Sequence, residues 1–305
     1  MKTLWLSLLF LLPFQEAFPQ NRFITIDSVK VWLNTQGLEN RKAGQPVIVF
    51  ESGKGSSMGN WDRVLEGAVK LAPILTYDRA GVGESEAVEA KPTIKMVSDR
   101  LVKILKHLEI EPPYLLVGHS LGGLYVRGFA IHHPELLAGL VIIDPADFTE
   151  NHINKREYYE VLNWEEERVD SLINSYISKR NNRNPDTPPG ILREGVFLEE
   201  IREREFQEIT ESPLPNIPVH IITGGRFDLP EKYRSKVFDE EAVFRAKIQA
   251  RCTRWISVIQ SVDKGMFFYS ADSGHSVQWE DPELVISSIK LAIEDYWSMK
   301  SKKKD

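Results

Sequence analysis

The chain has a single cysteine, Cys252, in 305 residues, so no intramolecular disulfide can form. It has no excess of basic charge: 44 acidic against 38 basic side chains leave a net charge of −6. That balance argues against a nucleic-acid partner, because neutralising phosphates needs a basic surface. The one basic run, "KSKKKD" at the C-terminus, reads as a solvated tail. The most apolar run, Leu4 to Phe14, falls well short of the roughly 20 residues that span a bilayer. No stable membrane span is therefore expected. His, Cys, Asp and Glu nowhere cluster with metal-ligand spacing. Neither G-x-G-x-x-G nor G-x-x-x-x-G-K-[ST] occurs. No metal and no cofactor are expected. Glycine and proline are ordinary, at 19 and 17 residues, so no long disordered or fibrous tract is implied.

What is present begins with an export signal. Lys2 gives a positive start, Leu4 to Phe14 an apolar core, and Ala17 a residue suited to the cleavage site. Residues 1–19 are read as a cleaved signal peptide and residues 20–305 as the mature domain, periplasmic or secreted. With one cysteine, export would not serve disulfide formation.

The mature chain first alternates apolar and polar residues in "RFITIDSVKVWLNTQG", which predicts an antiparallel hairpin wet on one side. Short apolar runs follow at 46–52, 72–78, 114–120, 137–144, 217–224 and 265–271. Runs apolar on both faces predict strands of a parallel sheet covered by helices. Helical patterns lie between most of them: "NWDRVLEGAVKLA", "TIKMVSDRLVKILKHLEI" capped by Thr93, and "SLGGLYVRGFAIHHPE". "DPELVISSIKLAIEDYWSMK" closes the chain, with Asp281 as cap and Pro282 at the first helical position. The fold class is α/β, a mostly parallel twisted sheet flanked by helices. The stretch from about Phe148 to Pro213 is charged, helical in pattern and without a sheet-like run, so it reads as a helical insertion.

Gly-His-Ser occurs twice, in "LLVGHSLGG" and in "ADSGHSVQWEDP". The first lies where a buried strand turns sharply into a helix, as Gly118-His119-Ser120-Leu121-Gly122. Glycines two before and two after the turn residue relieve its crowding, and Ser120 is held exposed as a nucleophile. His119 adjoins it but is expected to support the loop or line the pocket rim. A serine alkoxide needs a base. His107, His132 and His133 lie on helix patterns, His152 in the insertion and His220 inside an apolar strand. Only His275 sits in a loop just past a core strand, so in the second copy the histidine is the working residue and Ser276 is not.

A carboxylate should orient the imidazole. Asp228, in the glycine-rich loop "TGGRFDLP", is preferred, since its strand directly precedes the one leading to His275. Asp144 is the competitor. Its Asp-Pro step also suits a tight structural turn. Asp272 is too close in sequence to His275. Two backbone donors are expected for an oxyanion: the N–H of Leu121 after the serine, and the N–H of Lys54 in "ESGKGSSMGNW". In "YDRAGVGES" (Tyr77 to Ser85), Asp78 and Arg79 are expected to form a buried structural pair.

Taken in order, "ESGKGSS", "YDRAGVGES", "GHSLGG", "GGRFD" and "SGHSVQWEDP" resemble the α/β-hydrolase superfamily over nearly the whole mature chain. The resemblance implies that fold, a serine triad in the order Ser120, Asp228, His275, and a cap corresponding to the insertion. Ser52-Gly53 stands where the family often has His-Gly. A serine rather than an aspartate nucleophile sets the chain apart from epoxide hydrolases and haloalkane dehalogenases. The expected activity is hydrolysis of a small-molecule acyl substrate, an ester by default. The alternatives are amide or carbon–carbon cleavage on the same residues, or a non-catalytic binding protein of this fold. With every triad residue outside the insertion, a protein lacking it is expected to keep slow hydrolysis of a small activated ester.

Overall fold

The computed structural model describes residues 21–181 and 186–302. The segment read as a signal peptide lies outside the described residues. The strands are β1 (Arg22–Ile26), β2 (Val29–Gln36), β3 (Val47–Glu51), β4 (Ile74–Tyr77), β5 (Tyr114–His119), β6 (Leu137–Ile143), β7 (Val219–Gly224) and β8 (Gly265–Ser270). They form one sheet in the order β1-β2-β4-β3-β5-β6-β7-β8. β1, β2 and β4 pair antiparallel, and the remaining ladders are parallel. The hairpin and all six apolar runs thus appear as strands.

Around the sheet lie α1 (Asp62–Val69), α2 (Ile94–His107), α3 (Leu121–His132), α4 (Glu166–Asn181), α5 (Pro189–Glu203), α6 (Gln207–Thr210), α7 (Glu240–Ile259), α8 (Val277–Glu280) and α9 (Pro282–Lys302). Alternate residues of each strand point to opposite faces and meet different helices. Val47, Val49 and Leu116 join Leu101 and Leu105 of α2, Phe129 of α3 and Trp255 of α7. Ile48, Phe50 and Val117 join Val64 and Ala68 of α1 and Ile289 and Ala292 of α9. Thr93 caps α2 by accepting the Met96 N–H at 3.1 Å. Asp281 accepts the Leu284 N–H at 3.2 Å ahead of α9. Among the described residues no helix is long and apolar enough to cross a membrane.

Two features go beyond the sequence reading. The insertion between β6 and β7 holds α4, α5 and α6 and has a small core of its own, Tyr158, Tyr159, Val169 and Ile173. Yet Phe197, Leu198 and Ile201 of α5 and Ile209 of α6 belong to the main core, so the insertion is packed into the domain. The second feature is α7, for which no helical pattern was named. Its buried stripe is Ile248, Arg251, Trp255 and Ile259, and the arginine interrupts what would otherwise be an apolar face. Asp239 caps it, accepting the Ala242 N–H at 3.0 Å.

Candidate active site

Ser120 stands between β5 and α3 with φ 54° and ψ −116°. A non-glycine residue there carries strain on the order of 1–3 kcal/mol, kept only where the surroundings hold it. They do so sterically. A Cβ at Gly118 would meet the Gly122 carbonyl, and one at Gly122 would collide with the Glu51 carbonyl. The elbow is also tied to the end of β6. The Ser120 N–H donates to Ile143 O at 3.0 Å, and the Ala146 N–H donates to Ser120 O at 3.2 Å. Among the described residues Ser120 Oγ has no hydrogen-bond partner.

His275 follows β8 and leads into α8. Its Nδ1–H donates to Asp144 Oδ2 at 2.5 Å. Asp144 Oδ1 faces Arg251 Nη1 at 3.2 Å and accepts the Gly224 N–H at 3.4 Å. Asp144 is buried, and its own φ is 37°. Burial opposes ionisation of this carboxyl. Arg251 and the His275 hydrogen bond outweigh that penalty and hold the pKa below the ordinary carboxylate value.

The preference for Asp228 as the histidine's partner is therefore corrected. The loops after β7 and β8 do lie side by side, with the Arg226 N–H donating to Ser273 O at 2.9 Å. But Arg226, two residues before Asp228, captures its carboxylate through Nε at 2.5 Å and also pairs with Glu280. Asp228 is half-exposed and faces that guanidinium. Ser120 follows β5, three strands from β8, so the His275 loop reaches back along the sheet edge to the end of β6. The acid that meets it there is Asp144.

His119 is buried under this pair. Its Nε2–H donates to the His275 carbonyl at 2.9 Å, and its Nδ1 accepts from Asn60 Nδ2 at 3.4 Å. Burial, reinforced by His275, brings its pKa down to about 4, so the ring is neutral near pH 7. As expected it supports the loop. Asn60 Oδ1 in turn accepts from Gln278 and Trp279 of α8, so the loop that carries His275 is held at both ends.

The loop after β3 closes the other side. A Cβ on Gly53 would lie 3.4 Å from Ser120 Cβ, so glycine lets this backbone approach the serine. Among the described residues neither the Lys54 N–H nor the Leu121 N–H donates to a protein acceptor. Arg79 holds this loop. It does not pair with Asp78, as the sequence led one to expect. Asp78 instead accepts the backbone N–H groups of Met58 and Glu84 at 2.6 and 2.9 Å. The buried Arg79 lies between Glu51, whose other oxygen accepts the Tyr77 hydroxyl proton, and Glu194 of α5. Burial pushes the Glu51 pKa up against the pull of Arg79, and the two carboxylates raise the Arg79 pKa despite its burial.

Arg251 and Glu194 are the site residues that the sequence reading missed. Each is a charged residue on a helix whose exposed neighbours are charged too. The available signal was position: each occupies a core-facing turn of its helix. Among the described residues no group of three His, Cys, Asp or Glu side chains is placed to hold a metal ion.

A family model described as alpha/beta hydrolase fold matches residues 46–192. A Bacillus subtilis (strain 168) protein named "Uncharacterized protein YqjL" is 37% identical over 265 residues, covering 85% of this chain and 87% of that one. Among solved structures, the epoxide hydrolase CorEH without ligand superposes with a TM-score of 0.61 at 16% identity, covering 92% of this chain and 100% of that one. Mouse alpha/beta hydrolase domain-containing protein 10 gives 0.56 at 20% identity, covering 90% and 98%. At such identities these two likenesses show the fold alone.

Proposed function

We propose, from the premise that this chain belongs to the α/β-hydrolase superfamily, that it is a serine hydrolase cleaving an acyl bond through Ser120, His275 and Asp144. One observation carries the reading. A serine in a strained strand-to-helix turn donates its N–H to Ile143 O, and the residue after Ile143, the buried Asp144, holds the Nδ1–H of His275. That bond leaves the lone pair on His275 Nε2 free to act as base.

Ser120 Oγ attacks the acyl carbon while His275 Nε2 takes the hydroxyl proton. The carbonyl electrons move onto oxygen, which the Leu121 and Lys54 N–H groups receive. Collapse of this intermediate breaks the bond to the leaving group, which departs with the proton from His275. Water then repeats the sequence and releases the acid. A hydrogen bond from Ser120 Oγ to His275 Nε2 forms when substrate is bound, since catalytic hydrogen bonds often tighten only in the substrate complex. Asp144 holds the ring tautomer and stabilises the imidazolium. An ester is the default substrate because an alkoxide leaves more readily than an amide nitrogen.

The test is labelling by a fluorophosphonate together with turnover of an ester panel of graded acyl length. The wild-type chain is expected to label and turn over. Ser120→Ala should do neither, with a loss on the order of 10⁴-fold or more, because such residues act as a unit. A folded Ser120→Ala with near-normal hydrolysis would end the serine reading.

A further inference from the structure

Among the described residues, Glu194 is the side chain by which the insertion hydrogen-bonds the loop after β3. Glu194 of α5 is buried and uses both carboxylate oxygens. Oε1 accepts from Arg79 Nε at 2.7 Å, and Oε2 accepts the Gly55 N–H at 2.8 Å. Arg79 Nη2 donates to Gly53 O at 2.7 Å, and Nη1 donates to Ser52 O at 2.5 Å and Glu51 Oε1 at 2.6 Å.

These contacts fix the direction of a single donor. The Gly53 carbonyl and the Lys54 N–H belong to one planar trans peptide, so they point in opposite directions. Holding Gly53 O on Arg79 therefore aims the Lys54 N–H away from the guanidinium. The next peptide, Lys54–Gly55, is held at its N–H by Glu194. Both planes flanking Lys54 are thus locked, one by the carboxylate directly and one through Arg79 together with the Ser56 N–H, which donates to Gly53 O at 3.2 Å. Steric contact of the same helix adds to this. A Cβ at Gly190 would collide with the Gly81 carbonyl, and one at Gly55 would meet Ile191. α5 therefore lies directly against the loops that follow β3 and β4.

We propose that Glu194 is a positioning residue that aims the Lys54 N–H at the developing oxyanion, which makes the insertion part of the catalytic machinery. This rests on the serine-hydrolase reading above. It also replaces the expectation that a protein lacking the insertion keeps slow hydrolysis, because removing α5 takes the Nε acceptor from Arg79 and the acceptor from the Gly55 N–H.

The test uses the full chain with Glu194→Gln and Glu194→Asp. The glutamine has one acceptor for two donors, so either Arg79 or Gly55 loses its partner, while Glu51 still neutralises Arg79. The aspartate keeps the charge beside Arg79 but withdraws the carboxylate by one methylene, and it carries the test if Glu194→Gln fails to fold. Reactive serines are counted by the endpoint of fluorophosphonate titration, and kcat is expressed per titrated serine. The expected result is a fall in kcat of roughly tenfold to a hundredfold, less than or equal to the loss of an oxyanion donor itself. KM should stay within about twofold, and affinity for an alkyl trifluoromethyl ketone, whose adduct carries the oxyanion, should fall in parallel with kcat/KM. A purely structural defect would lower the number of titrated serines and leave kcat per serine intact. Wild-type kcat per serine in the variants, or a fall in kcat with ketone affinity unchanged, would overturn the proposal. A wild-type chain that takes no probe would instead sink the serine reading, and this proposal with it.

Discussion

The loops that follow β6 and β7 each carry an aspartate at the carboxyl edge of the sheet, and they treat it in opposite ways. Asp144 follows the last residue of β6 at once, is buried, and meets His275, Arg251 and the Gly224 N–H. Asp228 lies four residues beyond β7, is half-exposed, and is tied to Arg226. The glycine-rich loop has the freedom to bend toward His275 but also the freedom to satisfy its carboxylate locally. The loop that starts with Asp144-Pro145 has no such choice. A carboxylate that must orient an imidazole benefits from being held before substrate arrives, and the restrained loop supplies that.

The sharpest way to break this comparison is Asp144→Asn. The amide cannot stabilise an imidazolium, and its NH₂ favours the wrong tautomer of His275. We expect kcat to fall on the order of 10⁴-fold, with KM little changed. Steady-state kinetics on a preparation checked by thermal melting decides it. Activity near wild type would mean that another group orients His275.

Arg251→Gln probes what holds Asp144 in place. Removing one partner of a buried ion pair is expected to cost ~3 kcal/mol near pH 7. The pH dependence has a definite sign. In the folded wild type the Asp144 pKa is lowered, so its ionisation adds stability above the ordinary carboxylate pKa and loses it as pH falls through the folded value. Without Arg251 that folded pKa rises and the added stability shrinks. The gap in melting temperature between wild type and Arg251→Gln should therefore be widest near neutrality and narrow below about pH 4. A gap independent of pH would detach Arg251 from Asp144.

The smallest effect sharpens the comparison from the other side. Asp228→Asn removes one end of an exposed ion pair, and such pairs contribute little. Its kcat should stay within about twofold of wild type and its melting temperature should be unchanged. A loss comparable to that of Asp144→Asn would restore Asp228 to the reaction.

Much of the scaffold is legible in the sequence. The six core strands were visible because buried parallel strands are apolar on both faces, and α2 and α9 because their caps, Thr93 and Asp281, are local. α7 escaped notice because Arg251 sits in its buried stripe. A guanidinium placed to meet Asp144 breaks the apolar periodicity by which helices are read. The Asp78–Arg79 pair was expected from adjacency, but neighbours in an extended loop point apart, and each found distant partners instead.

The sequence by itself determined the residues whose roles depend on their immediate neighbours. The strained turn at Ser120 requires Gly118 and Gly122 within two positions, and a loop histidine after the last strand is recognisable in a dozen residues. Tertiary structure decided the partners. His275 and Asp144 are 131 residues apart, and Glu194 and Gly55 are 139 apart. Whether such groups meet depends on strand order, on how far the His275 loop reaches back toward β5, and on which arginine arrives first. Local sterics are written in consecutive residues. Electrostatic pairing is settled by competition among charged groups that only the folded chain brings within reach of one another.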